Sequence, residues 1–209
     1  MTGKGCEQHV KCCEKKRRRR RIIGCILGTI LLILLIILIV WLALRPTKPR
    51  FYLRDAVVLQ FNYTGNPANL LSIVTQVTIS SRNPNDHIGI YYDRINVFAA
   101  YKFQQITLST PIPPFYQGHN DVTIWSPYLT GPNVPVAPYL CDVLTQDKNS
   151  GFLLLHVKVD ARIRWKVGSW TSGNYHMFVS CPAFLAFENG GRSGGSVKFQ
   201  QMSTCSVEI

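Results

Sequence analysis

Residues 22–44, IIGCILGTILLILLIILIVWLAL, run for 23 positions without a charged side chain, and no other stretch limits the fold of this chain as much. As a helix rising about 1.5 Å per residue the run reaches roughly 34 Å, slightly more than a hydrocarbon core of about 30 Å. A cleaved signal peptide has an apolar region of only about 7–15 residues before a small-residue cleavage site. A helix buried in a soluble core keeps a polar face. Neither description fits, so the run predicts one retained membrane-spanning helix over residues 22–44.

The flanks set its direction. Lys4, Lys11, Lys15, Lys16 and the five arginines of residues 17–21 precede it against only Glu7 and Glu14, while Arg45, Lys48, Arg50 and Arg54 follow. The heavier cluster abuts the helix, which keeps the N-terminus cytoplasmic and sends the rest of the chain across. The net charge of +12 then divides into +7 for residues 1–21, +3 for 45–50 and only +2 for 51–209. A strongly basic chain ordinarily raises nucleic acid as a partner. Here the excess lies beside the bilayer, where each Lys or Arg near an anionic leaflet contributes about 1 kcal/mol, so anionic lipid headgroups are the expected partner of the tail and nucleic acid is not.

Four segments follow: a cytoplasmic tail (1–21), the spanning helix (22–44), a stalk (45–50) extended by Pro46 and Pro49, and an extracytoplasmic domain (51–209). The tail is too polar and too short to fold alone. Cys12 and Cys13 stand a few residues from the bilayer on the reducing side, where reversible S-acylation is the functional reading and free thiols the alternative. A metal site drawn from Cys6, His9, Cys12 and Cys13 lacks closing ligands, and none is expected. Gly24 and Gly28 form a GxxxG pair, which leaves room for homo-oligomer contacts between helices.

Beyond residue 50 the apolar period becomes two. Leu71, Ile73, Val77 and Ile79 alternate with polar residues; Val97, Ala99, Tyr101 and Phe103 follow a similar rule. The clearest run is Leu153, Leu155, Val157, Val159, Ala161, Ile163, Trp165 and Val167, set against His156, Lys158, Asp160, Arg162, Arg164 and Lys166. One face suits a core and the other water. Breakers such as Gly65-Asn66-Pro67, Asn83-Pro84-Asn85 and Gly173-Asn174 separate the runs, which predicts an all-β antiparallel sandwich. A single helix interrupts it, with Val136, Tyr139, Leu140, Val143 and Leu144 on one face.

Cysteines beyond the helix are Cys141, Cys181 and Cys205, an odd number in an oxidising compartment. Cys181 and Cys205 share the parity of the apolar face, which favours their pairing; three buried free thiols is the alternative. Asn62-Tyr63-Thr64 is an N-x-[ST] sequon on the translocated side, so Asn62 is a candidate glycosylation site. Motifs for catalysis are lacking: the sequence has no HExxH, CxxC or P-loop, and its one GxSxG pattern, GRSGG at residues 191–195, stands at no strand-to-helix elbow. NGGRSGGS reads as a hairpin loop, and His156 shares a solvated or weakly anion-binding stripe with its charged neighbours.

The basic tail, the spanning helix, RPTKPRFYLRDA, then SSRNPNDHIGIYYDRI and LLLHVKVDARIRWKVGSW together resemble the plant NHL family. These proteins are related to a non-race-specific disease-resistance factor and to harpin-induced proteins, and carry a group-2 late embryogenesis abundant domain. The most specific stretch of the resemblance is Asn83, Pro84 and Asn85 followed by Tyr91, Tyr92 and Asp93. It implies an immunoglobulin- or fibronectin III-like sandwich, a plasma-membrane location and a role in plant defence or stress signalling. No catalytic residue and no cofactor are implied. Physically, Asn-Pro-Asn ends a strand and re-aims the chain toward Tyr91 and Tyr92, as a structural turn or, with both tyrosines exposed, as a partner-binding patch. Three function classes are open: binding of an unknown protein or cell-wall partner, a lipid-binding or membrane-bridging module, and a membrane-anchored hydrolase, for which no nucleophile and base stand at motif spacing.

Overall fold

The computed structural model describes residues 4–43, 46–64, 69–187 and 197–209, with side chains over 18–39, 46–64, 69–147, 149–187 and 197–209. The chain divides into two compact units, Met1–Arg45 and Pro46–Ile209.

The first unit is one helix, α1 (Lys4–Ala43). Within it Arg18–Ile39 is long and apolar enough to span a bilayer, and none of its apolar window is buried. Leu31, for instance, is 70 % exposed. Leaving such side chains in water forfeits about 1.5–3 kcal/mol each, a cost that lipid removes. Helix begins already at Lys4, so the tail that is too polar to fold alone is helical as an extension of the apolar segment. The costly nucleus exists there, and each added residue gains a backbone bond without nucleating anew. The side chains of Cys12 and Cys13 lie outside the described residues.

The second unit contains β1 (Arg50–Thr64), β2 (Leu70–Arg82), β3 (Ile88–Tyr101), β4 (Gln104–Gln105), β5 (Thr110–Ile112), β6 (Phe115–Gln117), β7 (Val122–Trp125), β8 (Tyr128–Pro135), helix α2 (Pro138–Ser150), β9 (Phe152–Val167), β10 (Trp170–Thr171), β11 (Tyr175–Phe187), β12 (Val197–Phe199), β13 (Ser203–Thr204) and β14 (Ser206–Glu208). Strands pair in the order β4, β3, β9, β11, β12, β1, β2, β7, with β5 and β6 also on β3, β8 on β2, β10 on β9, β13 on β1 and β14 on β11. One layer is built on β3, β9 and β11, the other on β1, β2, β7 and β8. Between them lie Leu53, Ile73, Ile79, Ile90, Ile95, Val159 and Ile163, all buried. This is the antiparallel β-sandwich that the alternation predicts, preceded by a spanning helix.

β9 is central because both its edges are paired along almost its whole length, with β3 from Ile88↔Val167 to Tyr101↔Leu155 and with β11 from Tyr175↔Ile163 to Ala186↔Phe152. Its odd-numbered residues from Leu153 to Trp165 are buried, and the charged even-numbered ones face out. The C-terminal strands close the seam between β1 and β11, where Cys205 is disulfide-bonded to Cys181, 24 residues away. Cys141 is a buried free thiol.

Three local expectations change. In α2 the buried residues are Leu140, Cys141 and Leu144, with Val136 just before the helix, whereas Tyr139 is 69 % exposed. The helix starts only at Pro138, and its rotation puts Cys141 where the spacing had placed Tyr139. Phe103 is 94 % exposed because β3 ends at Tyr101 in a turn through Lys102, whose φ is 53°. Finally, part of the segment read as a stalk is docked: Pro49 is buried, and Thr47 exchanges two hydrogen bonds with the Asn85 side chain. The loops holding Gly65, Asn66, Pro67 and NGGRSGGS lie outside the described residues.

Candidate functional site

β2 ends at Arg82, and the next three residues form a polar closure at the end where the chain enters the sandwich. Asn83 is fully buried. Its Nδ2 donates to the carbonyls of Ile88 (2.7 Å) and Gly118 (2.9 Å), and its Oδ1 accepts from the Asn85 backbone (3.1 Å) and Asn85 Nδ2 (2.8 Å). Asn85 in turn accepts from Thr47 N–H (2.7 Å) and donates to Thr47 O (2.8 Å). A planar amide with two donors and a two-lone-pair acceptor can satisfy several backbone groups at once. Beside it Tyr92 Oη donates to Gln117 Oε1 (3.2 Å) and lies 3.2 Å from Ser81 Oγ. The Tyr92 ring stacks on Phe115 at 4.6 Å. Burial pushes the Tyr92 hydroxyl well above the usual tyrosine range. Asn83, Asn85 and Tyr92 thus act as scaffold.

Tyr91 and Asp93 go the other way. The alternation of β3 sends Tyr91 to the outer face and Tyr92 to the core, and a register shift between Tyr92 and Arg94 places a bulge at Asp93. A bulge re-aims side chains; here Asp93 and Arg94 are both carried out of the core. Asp93 receives two bonds of 2.6 Å from Arg164 of β9, one from Nε and one from Nη2, a bidentate pair. Tyr91 lies opposite Arg164 in the ladder, with the guanidinium 5.4 Å from its ring centroid.

Lys166 completes the cluster. Its ammonium donates to Tyr91 Oη (3.2 Å) and sits 5.4 Å from the Tyr91 ring and 5.1 Å from the Tyr116 ring. The two rings are 4.7 Å apart. Gly89 makes this possible: it pairs with Lys166, and a Cβ there would run into Tyr116 Oη, so the missing side chain lets the Tyr116 ring lie along the sheet. The hydrogen bonds it donates to Asp93 hold Arg164, and that donated to Tyr91 holds Lys166, more firmly in the charged form. Two cations, a carboxylate and two ring faces therefore form one ordered outer surface.

Sequence reasoning singled out Asn83, Pro84, Asn85, Tyr91, Tyr92 and Asp93 as one unit; the fold divides them between scaffold and surface. It missed Tyr116, Gln117 and Gly89. A glycine inside a strand pattern is a sign of close approach, and Gly89 carried that signal. Asn62 is exposed on β1, opposite Ser72 of β2. His156 sits on the outer face of β9 with Nδ1 buried and unpartnered, and its pKa is lowered by burial and by Lys158. Along that face Phe98, Lys158, Asp160, Phe178, Ser206 and Glu208 line an open groove of about 280 Å³.

A family model described as late embryogenesis abundant protein matches residues 78–181, which hold the last five residues of β2, all of β3 and β9, and the YYD bulge. NDR1/HIN1-like protein 1 of Arabidopsis thaliana is 47 % identical over 99 % of this chain and 100 % of its own length. NDR1/HIN1-like protein 12 of the same plant is 48 % identical over the full length of both. NDR1/HIN1-like protein 26 is 41 % identical over 71 % of this chain and 70 % of its own. One spanning helix ahead of an extracytoplasmic sandwich, in a single-pass plasma-membrane protein with a cytoplasmic N-terminus, completes the agreement, and the chain belongs to the NDR1/HIN1-like family.

Proposed function

We propose that the extracytoplasmic sandwich acts in plant defence or stress signalling by recognising a partner on the outer face of β3, β6 and β9. The observation that carries this is the Tyr91, Tyr116, Lys166 and Asp93–Arg164 cluster, ordered at the surface where core packing does not demand it. Exposed ion pairs contribute only about 0–1 kcal/mol, so stability is a weak reason for so many paired groups. The test compares elicitor-treated plant cells carrying the full chain or the Tyr91→Ala/Tyr116→Ala variant at equal plasma-membrane levels. The variant should lose the response; an undiminished response would overturn the reading.

A lipid module would use the groove at Phe98 and Phe178. That groove is open and walled partly by Lys158, Asp160 and Glu208, whereas the cluster at Tyr91 and Tyr116 is held by paired groups, which favours the face. The domain is read to begin near residue 51 and the tail to end at 21, with anionic lipid headgroups as the tail's partner. Asn62, exposed on the translocated side, is proposed to carry a glycan, read as a mobility shift with glycosidase that Asn62→Gln abolishes. S-acylation is proposed at Cys12 and Cys13 because of their distance from the bilayer; an unmodified intact mass from plant membranes would remove it.

A further inference from the structure

Arg94 of β3, Arg162 of β9 and His176 of β11 stand directly opposite one another across three strands, all exposed on the same outer face as Lys166. Among the described residues neither Arg94 nor Arg162 has an ion-pair partner. Like charges directly opposite in a sheet are destabilising, so the Arg94 and Arg162 pair costs the fold something. Outward positions along a strand recur about every 6.7 Å, which puts Arg162, Arg164 and Lys166 on a straight track of roughly 13 Å. Tyr116 borders one end of that track with its ring over Gly89, and the Tyr91 ring stands beside it tilted by 44°.

We propose that this face binds an acidic polysaccharide, a chain of uronate sugars, with Arg94, Arg162 and Lys166 taking carboxylates and the tyrosine rings taking a sugar face. The inference rests on the reading that the face is a recognition surface, and names its ligand class. The carboxylates of a uronate chain match the Arg94 and Arg162 pair at one end of the track and Lys166 at the other, on either side of the Asp93–Arg164 pair, and the face of Tyr116 suits a sugar ring. A bilayer would be met by apolar side chains standing off the surface for insertion; Phe178 of β11 is one such side chain, but the cationic track carries none. Here the Tyr116 ring is held down over Gly89.

Right-side-out plasma-membrane vesicles carrying the full chain provide the assay, because the basic tail is then enclosed and cannot bind the probe. Labelled polygalacturonate should be captured, neutral galactan should not, and added salt should weaken capture. Arg94→Gln/Arg162→Gln should bind roughly tenfold more weakly, about 1.4 kcal/mol. Because this double substitution removes a repulsion, it should fold at least as well as the parent. Gly89→Ala, which displaces Tyr116, is the second variant and should also bind more weakly. Equal capture of both polymers, or full capture by the Arg94→Gln/Arg162→Gln variant, overturns the proposal. So does variant-sensitive binding to phosphatidylserine vesicles with none to polygalacturonate. If glycan binding fails while Tyr91→Ala/Tyr116→Ala still abolishes the elicitor response, the ligand class falls and the recognition face stands.

Discussion

The two ends of the sandwich are closed by opposite chemistry. Where the chain enters, the closing groups are amides and hydroxyls: Asn83, Asn85, Gln117 and Ser81, all buried, tie together the β2–β3 turn, Thr47 and the loop that holds Gly118 and Asp121. At the opposite end α2 lays Leu140, Cys141 and Leu144 over the core, with Val136 ahead of it. Only the rim there is polar, with Tyr101 Oη donating to Asp147 at 2.7 Å and burial pushing the Tyr63 hydroxyl up to about 12. Amide closure depends on direction, since each buried group left unmet costs about 1–3 kcal/mol. Apolar closure depends on area and yields in proportion to what is removed. The directional end is also the one nearer Tyr91 and Asp93, which follow Asn83 by eight and ten residues.

The sharpest attack on this contrast is at Asn83. Asn83→Ala removes the partner of Ile88 O, Gly118 O and two Asn85 groups, and should cost on the order of 4 kcal/mol in denaturant unfolding of the full chain in micelles. Asn83→Asp keeps the shape and the acceptor but loses both donors. A cost for it below about 1 kcal/mol would mean that shape, not direction, closes this end.

Cys181→Ser acts on neither end. The disulfide closes a 24-residue separation and pins the C-terminal seam to β11. Chain-entropy reasoning gives roughly 3.5 kcal/mol, most of it through the unfolded state. The midpoint of the parent should fall on adding reductant while that of Cys181→Ser stays where it is; a parent indifferent to reductant would remove the bond's contribution.

Leu144→Ala should cost about 3 kcal/mol and Leu144→Met less than about 1.5. That graded series is the signature of the apolar end. An all-or-none response, with Met as damaging as Ala, would erase the distinction drawn from Asn83.

Legibility in the sequence follows the same division. Strands such as β9 were readable because burial on one face forces strict alternation, and the spanning helix because lipid demands an unbroken apolar run. α2 was readable as a helix, but not its rotation, because Tyr139 and Cys141 both fit an apolar stripe and only packing decides between them. The candidate face was half legible. Tyr91 and Asp93 were singled out, yet alternation alone would turn Arg94 inward; the bulge that also carries it outward is a pairing property, invisible to a single strand. Tyr116 and Lys166 reach Tyr91 from strands 25 and 75 residues away, separations at which local pattern says nothing.

The smallest effect is a pH dependence in which the closing amides and hydroxyls of the entry end take no part, since Asn, Gln and Ser do not titrate near neutrality. His156 can. It stands on β9 between Ala100 and Pro182, with Lys158 as the next outward residue, and its buried Nδ1 has no hydrogen-bond partner. Burial first, and Lys158 second, hold its pKa below the usual histidine range. The folded state therefore resists protonation more than the unfolded one. As pH falls below about 6.5 the unfolded chain takes up the proton first, so stability is full above that value and declines beneath it. His156→Gln should flatten the decline in unfolding midpoint between about pH 7.5 and pH 5 while leaving the cost of Asn83→Ala unchanged, because the two sites share no partner. A decline that survives His156→Gln would assign the acid sensitivity to other groups and remove this histidine as its source.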